Sequence, residues 1–130
     1  MRSNKPQIDF VELHILHHAS EGPLYGLWMI EELAKHGYSL SASQLYPKFH
    51  RLEQKGFLNR KGLVVGGKLR KYYRLCPAGR AYLKKQKERL LELISEALSA
   101  EELAEALRKR RQRSGKNRRV TPKGAGRRPS

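Results

Sequence analysis

The 130-residue sequence lacks the features on which several protein classes depend. Its single cysteine, Cys76, cannot form a disulfide within the chain, which fits a reducing compartment. Long apolar runs are missing as well: Phe10–Leu16 is interrupted by polar residues, and no run approaches the roughly 20 residues that a membrane span requires. We therefore expect a soluble, cytoplasmic protein with no membrane partner.

Catalytic and metal-binding patterns are also missing. No nucleophile has a plausible His and Asp partner, no glycine-rich loop could cradle a phosphate, and no residue set has the spacing of a zinc site. His14 and His18 have an i, i+4 spacing that can hold a metal ion, with His17 beside them and only Glu21 nearby as a further ligand. We interpret these histidines as surface or dimer-interface residues, with metal sensing as the alternative. The sequence thus predicts no enzyme, no metal site and no cofactor.

Acidic side chains are scarce, with 12 Asp and Glu against 28 Lys and Arg and a net charge of +16. The excess is unevenly spread. Residues 40–74 carry nine basic side chains and one acidic one, and residues 108–130 carry eleven basic and none acidic. The remaining segments are slightly acidic or nearly balanced. Two separate cationic blocks predict a polyanionic partner.

Helical spacing appears early in the chain. Ile8–Ala19 is a predicted first helix that ends before Gly22-Pro23. Leu24–His36 is a predicted second helix, with Gly37 as its stop. Trp28 is expected in the core or against a partner chain, with ligand stacking as the alternative. The expected apolar face of the second helix consists of Leu27, Ile30, Leu33 and Ala34.

A third predicted helix opens near Ser41 or Ser43, either of which can cap it, and ends at Gly56. Its apolar residues share one face at i, i+4 and i+7, and they are Leu45, Phe49 and Leu52. The opposite face is polar and cationic. Its outward residues are Ser43, Pro47, His50, Arg51 and Gln54, with Gln44 at the edge.

Two stretches rich in β-formers follow. Phe57–Val65 and Leu69–Leu75 meet at Gly66-Gly67, a strong signal for a two-residue turn. Tyr72 and Tyr73 alternate in direction along the second strand, and we expect Tyr72 to pack inward. A helix with a cationic face followed at once by a basic hairpin has the layout of a winged helix-turn-helix. In that layout the helix enters the major groove of DNA and the hairpin lies beside it.

Chemistry assigns roles within this surface. Glutamine and arginine can pair with base edges, which fits Gln44, Arg51 and Gln54. Lysine more often contacts phosphate and fixes register, which fits Lys48 and Lys55, and Tyr46 is either a further phosphate contact or a core residue. In the hairpin, phosphate contacts are expected, with a simply solvated strand as the alternative. The candidate DNA-binding residues are Ser43, Gln44, Tyr46, Lys48, His50, Arg51, Gln54, Lys55, Lys68, Arg70, Lys71 and Arg74.

Pro77 suits the first position of a long fourth helix, preceded by Cys76 as a cap residue or, alternatively, a reactive thiol. Ser99–Glu102 is a capping box that predicts a short fifth helix to about Arg110. The apolar stripe of the fourth helix has too little chain left to cover it and predicts a homodimer. Its residues are Leu83, Leu90, Leu91, Ile94, Ala97 and Leu98. The expected organisation is a DNA-binding domain at 1–76, a dimerisation segment at 77–107 and a disordered basic tail at 108–130.

Several short motifs, in order, resemble the PadR family of transcriptional regulators. They are Gly22-Pro23-Leu24-Tyr25-Gly26, Leu45-Tyr46-Pro47, Arg51-Leu52-Glu53, Gly56-Phe57-Leu58, Arg70-Lys71-Tyr72-Tyr73-Arg74-Leu75 and Ala78-Gly79-Arg80. The resemblance covers about residues 10 to 98. It implies a mainly α-helical winged helix-turn-helix with a small hairpin, and a long C-terminal helix that is exchanged in a homodimer. The short C-terminal helix resembles the small subclass of the family, whose members commonly act as repressors released by a ligand or another signal.

The resulting prediction is a sequence-specific DNA-binding regulator that acts as a homodimeric repressor on an inverted-repeat operator. Double-stranded DNA and a second copy of the chain are its expected partners, and the resemblance leaves room for an unidentified small-molecule effector. The alternative is an RNA-binding or architectural protein that uses charge alone. Such a protein would need neither the motif-bearing hairpin nor an apolar helix for dimerisation.

Overall fold

The structure is a computed structural model that describes residues 9–114. Within this range the chain forms two compact units, residues 9–83 and 84–114. None of the helices in the described range is long and apolar enough to cross a membrane. The elements are α1 (Phe10–Ser20), β1 (Leu24–Tyr25), α2 (Gly26–Lys35), α3 (Ala42–Gln54), β2 (Leu58–Val65), β3 (Lys68–Leu75), α4 (Pro77–Ala97) and α5 (Ala100–Ser114).

Helix α1 begins where its N-cap residue satisfies a free backbone donor. The Asp9 carboxylate accepts a hydrogen bond of 2.7 Å from the Glu12 amide. The first predicted helix is therefore confirmed, although it ends at Ser20 and its expected first residue, Ile8, lies outside the described range. The buried apolar face of α1 consists of Val11, Ile15, Leu16 and Ala19.

The start of the second predicted helix is wrong, because Leu24 and Tyr25 form the short strand β1. They pair antiparallel with Tyr73 and Tyr72 of β3, which places β3 in the centre of a three-stranded sheet. This pairing satisfies backbone groups that a helix would have satisfied internally. Helix α2 therefore begins only at Gly26.

The expected apolar face of α2 is also partly wrong. Leu27 is largely exposed and Ala34 is exposed, whereas Trp28 and Met29 are buried together with the expected Leu33. The inward face of α2 is therefore rotated from the predicted one towards Met29 and Leu33. Trp28 packs in the core, which was one of its two expected locations.

Helix α3 begins at the earlier of its two expected caps. Ser41 and Gln44 form a capping box, in which the Ser41 amide donates to Gln44 Oε1 at 2.9 Å. The predicted apolar face is confirmed, because Leu45, Phe49 and Leu52 are all buried. The opposite face is consequently turned to solvent.

The predicted hairpin is confirmed, with Val65 paired to Lys68 across Gly66-Gly67. Both glycines have positive φ, +60° and +80°, as the tight turn requires. The expectation for the two tyrosines is wrong: Tyr73 is the buried one, stacked on Phe49 with ring centroids 4.3 Å apart. Its partner across the sheet is the buried Leu24 of β1, so the register places this face of β3 against the core.

Helix α4 begins at Pro77 as predicted, and its first turns belong to the core of the first unit. Gly79 allows a close approach there, because a Cβ at this position would lie 2.3 Å from the Phe57 carbonyl oxygen. Leu83 is buried. The Ser99 capping box of α5 is confirmed by hydrogen bonds in both directions with Glu102, and α5 continues to Ser114, past the expected end near Arg110.

Candidate nucleic-acid interface

The polar face of α3 is exposed along its whole length. Ser43, His50, Arg51 and Gln54 are exposed as the sequence predicted, and Gln44 and Lys55 are exposed as well. Lys48 and Tyr46 are half-buried. Among the eight helix candidates, Gln44, Lys48 and Arg51 have polar contacts that the sequence did not reveal.

Arg51 contacts a buried carboxylate. Its Nε donates to Glu12 Oε2 at 2.9 Å, and its Nη2 donates to the same oxygen. The Glu12 side chain is 2% exposed, whereas that of Arg51 is 52% exposed. A buried carboxylate is costly unless it is paired, so Arg51 compensates Glu12. A guanidinium has five N–H donors, so three remain beyond those that Glu12 accepts.

Lys48 makes a parallel contact one turn earlier. Its ammonium lies 2.7 Å from Oδ2 of Asp9, the residue that also caps α1. Burial on its own would raise the pKa of Asp9. Hydrogen bonds from Lys48 and the Glu12 amide, with the charges of Lys48 and Arg51, hold that pKa below its usual range. Two ion pairs thus connect α1 to the exposed helix.

Gln44 also has a local role, because its Oε1 atom belongs to the α3 capping box. Bidentate pairing with adenine uses both the oxygen and the nitrogen of an amide side chain. Base reading by Gln44 would therefore compete with the cap. Ser43 and His50 are exposed nearby, with the Ser43 hydroxyl 3.0 Å from that of Ser41.

The hairpin carries its cations on both faces. Lys68 and Lys71 are exposed near the turn, and Arg74 is exposed further along β3. Arg70 is half-buried because its guanidinium lies over the Tyr25 ring, 5.8 Å from the centroid. Arg60 of β2 lies opposite Tyr73 and forms an ion pair of 3.8 Å with Glu53 of α3.

A groove of about 510 Å³ lies between α3 and the hairpin. His50 and Tyr46 line it on the helix side, and Arg60 and Lys71 line it on the strand side. Gly26 forms part of its wall, and a Cβ there would lie 2.3 Å from the Tyr46 hydroxyl. Arg60 was not among the residues predicted to bind DNA. The predicted hairpin already contained its position, because counting residue pairs back from the Gly-Gly turn places Arg60 opposite Tyr73.

The second cationic block begins inside α5. Arg108, Lys109, Arg110 and Arg111 are exposed on this helix, and Arg108 is paired with Glu105. The prediction of disorder from residue 108 is therefore wrong for residues 108–114, which are helical, and residues 115–130 of the predicted basic tail lie outside the described residues.

A three-helix core with a two-stranded wing beside an exposed cationic helix defines the winged-helix class, and comparison with known proteins agrees. The pattern of the family described as "Transcriptional regulator PadR-like family" matches residues 15–85. The chain is 46% identical over 91 residues to "Transcriptional regulator Rv3488" from Mycobacterium tuberculosis, which covers 70% of this chain and 85% of the relative. The chain belongs to the PadR-like family of transcriptional regulators.

Solved structures show the same fold. A PadR family transcriptional regulator from Eggerthella lenta is 32% identical with a TM-score of 0.59, covering 66% of this chain and 76% of that one. PadR of Bacillus subtilis, whose structure contains operator DNA, is 21% identical with a TM-score of 0.53, covering 83% of this chain and 71% of that one. The expectations of a PadR-type winged-helix fold and of a regulator rather than an enzyme are confirmed.

Proposed function

We propose that this protein is a sequence-specific DNA-binding regulator, a homodimeric repressor that binds an inverted-repeat operator. Helix α3 enters the major groove, and the β2–β3 hairpin contacts the neighbouring backbone as a wing. The observation that carries this proposal is the exposed polar face of α3 beside a hairpin that carries cations on both faces. B. subtilis PadR, which has the same fold and whose solved structure contains operator DNA, supports a DNA-binding role.

Charge supplies the affinity in this proposal. Residues 40–74 carry nine basic side chains and one acidic one, and Glu53, the acidic one, is paired with Arg60. Cations that neutralise phosphates release condensed counterions, which gives binding that weakens steeply with salt. The phosphate contacts are assigned to side chains that lie on the wing or at the end of α3: Lys55, Lys68, Arg70, Lys71 and Arg74.

Sequence specificity is assigned to the exposed side chains of α3 that make the fewest contacts within the protein. Ser43 and His50 present hydrogen-bonding side chains to solvent, and Gln54 is exposed at the end of the helix. Arg51 adds its remaining donors while it holds Glu12 in place. This division between base readers and phosphate contacts is the basis for telling an operator from random DNA.

Dimerisation follows from the apolar side chains that α4 leaves in water. Leu91 is 63% exposed and Leu98 is 38% exposed, with Leu90 and Ile94 half-buried beside them. Burying a leucine side chain stabilises by about 1.5–3 kcal/mol. A second copy of the helix that covers these side chains would therefore stabilise a dimer. Residues 77–107 are therefore the proposed dimerisation segment, residues 1–76 the DNA-binding domain, and residues 108–130 a basic tail. A cytoplasmic location belongs to the same proposal.

Selection of DNA from a random pool tests this function. The full-length protein is incubated with random duplexes, bound duplexes are amplified over several rounds, and the enriched sequence is read. We expect an inverted repeat whose half-sites lie about one helical turn apart, roughly 34–36 Å. Enrichment of a single half-site would contradict the dimeric part of the proposal. A pool without any enriched sequence would support the alternative, a protein that binds nucleic acid by charge alone.

A further inference from the structure

Three histidines from two helices meet on the first unit. His14 and His18 lie one turn apart on α1, and His36 follows the last residue of α2. One ring nitrogen from each lies within 4.8 Å of the other two. The His14 and His36 rings are stacked with centroids 4.7 Å apart. The sequence revealed only the His14 and His18 pair, and the fold adds the third ring.

A carboxylate completes the group. Glu32 lies one turn before His36 on α2, and its Oε2 is 3.3 Å from Nε2 of His36 and 3.7 Å from Nε2 of His18. Four ligand-bearing side chains thus come from two i, i+4 pairs, one on α1 and one at the C-terminal end of α2. Lys35 contacts the other carboxylate oxygen of Glu32, at 3.7 Å, and leaves Oε2 directed at the histidines.

We propose that His14, His18, His36 and Glu32 form a binding site for a divalent transition-metal ion. The distances suit tetrahedral coordination. Bonds of 2.0–2.1 Å to nitrogen and oxygen place neighbouring ligand atoms about 3.3–3.4 Å apart. The contact of Glu32 with His36, at 3.3 Å, already has this spacing, and its contact with His18 is slightly longer at 3.7 Å. The ring nitrogens would close from at most 4.8 Å by side-chain rotation. His36 is exposed and His14 half-buried, which gives the ion a path from solvent.

The ligand types select the class of ion. Imidazole nitrogens suit zinc, copper and nickel, whereas magnesium and calcium prefer sites made of oxygen ligands alone. A set of three imidazoles and one carboxylate therefore binds zinc-like ions in preference to the abundant alkaline-earth ions.

A second group of potential ligands shares His18 and is less suitable. His17, His18 and Glu21 also lie within 4.8 Å of one another. His17 and His18 are consecutive on a helix, so their side chains leave it in directions about 100° apart. This group offers three ligands from one helix end, and Glu21 is exposed. The four-residue set offers one more ligand and draws its ligands from two segments of the fold.

A bound ion would fix α1 against the end of α2. Helix α1 also carries Asp9 and Glu12, which hold Lys48 and Arg51 of α3. Part of the proposed metal site therefore lies on α1, the helix that also forms the two ion pairs with α3. Metal binding itself does not depend on the proposed function, and its test needs no DNA.

The test uses the full-length protein without any added histidine tag. Zn²⁺ is titrated in competition with a chromogenic indicator, and Co²⁺ is added separately to record visible absorption. We expect one Zn²⁺ per chain, and visible Co²⁺ bands of a tetrahedral site. His36→Ala and His14→Ala should each weaken Zn²⁺ binding by about 100-fold or more, since even outer-shell changes cost roughly 10–100-fold. The Co²⁺ bands should vanish in His36→Ala, whose exposed position leaves folding intact.

His17→Ala is the matched control, because it removes a neighbouring histidine of the same helix and should leave affinity within about twofold. Zn²⁺ binding that survives His14→Ala and His36→Ala but is lost in His17→Ala would overturn the proposal in favour of the other group. Absence of Zn²⁺ binding by the wild-type chain would overturn it altogether.

Discussion

Arg51, on the exposed face of α3, compensates the buried carboxylate of Glu12 on α1. The pair joins residues 39 positions apart in the sequence. Its geometry means that the arginine expected to read DNA also supports the fold. The effects of changing Arg51 on DNA binding and on stability must therefore be separated.

Replacing Arg51 alone should destabilise the protein. Arg51→Ala leaves the Glu12 carboxylate buried without its compensating charge, and we expect a decrease of about 1–3 kcal/mol in the free energy of unfolding. The double variant Glu12→Gln/Arg51→Ala should be more stable than Arg51→Ala, because burying a neutral amide costs less free energy than burying an unpaired carboxylate. Urea unfolding of both variants measures this, and a double variant less stable than Arg51→Ala would show that the charge of Glu12 is not the cause.

The contact between Asp9 and Lys48 should make stability depend on acid pH. The pKa of Asp9 is lowered in the folded chain, so its contribution is complete above the unfolded value, near 3.8, and disappears as pH falls through the lower folded value. Asp9→Asn keeps a capping side chain but removes the titrating group. The melting temperatures of wild type and Asp9→Asn should differ at pH 6 and converge as pH falls below 3.8 and through the lowered pKa of Asp9. A constant difference across this range would argue against the ion pair.

The dimer should depend on the apolar side of α4. Leu91→Asp places a charge among the exposed leucines and should yield a particle of the 15.0 kDa chain mass where the wild type gives twice that value. Lys85→Asp introduces the same residue on the opposite side of the helix and should leave the dimer intact. Light scattering at micromolar concentration distinguishes the two results. Equal masses for wild type and Leu91→Asp would exclude this interface.

The basic segment after α5 should add affinity without specificity. Truncation after Ser114 keeps every described helix and removes six cationic residues. We expect weaker binding to random DNA and a shallower dependence of log K on log salt, by roughly 0.9 for each phosphate that the segment no longer neutralises. A full-length variant with those six residues changed to glutamine should behave like the truncation. If the truncated chain no longer prefers the operator, the segment reads sequence.

Local signals in the sequence predicted much of the fold. Ser41 and Ser99 cap helices as their side chains suggest, and the paired glycines fix the hairpin turn. The apolar face of α3 follows from its spacing alone. Strand β1 could not be predicted in this way, because Leu24 and Tyr25 pair with residues nearly fifty positions later. The burial of Tyr73 in place of Tyr72 follows from the same long-range register.

The candidate interface was predicted less completely than the fold. Periodicity identified which side chains of α3 face solvent, since it depends only on neighbours along the helix. It could not reveal that Lys48 and Arg51 contact carboxylates of α1, because those contacts join residues 39 positions apart. The third histidine of the proposed metal site, His36, was hidden for the same reason: its partners lie on another helix.

The most direct test of the DNA-reading role of α3 compares two variants on two duplexes. Affinities are measured by fluorescence anisotropy at fixed salt for the selected operator and a shuffled duplex. Ser43→Ala/His50→Ala should cost about 1–3 kcal/mol on the operator and little on the shuffled duplex, because it removes base contacts. Lys71→Ala on the wing should weaken both equally. Equal weakening on both duplexes for the α3 variant would contradict the assignment of specificity to this helix.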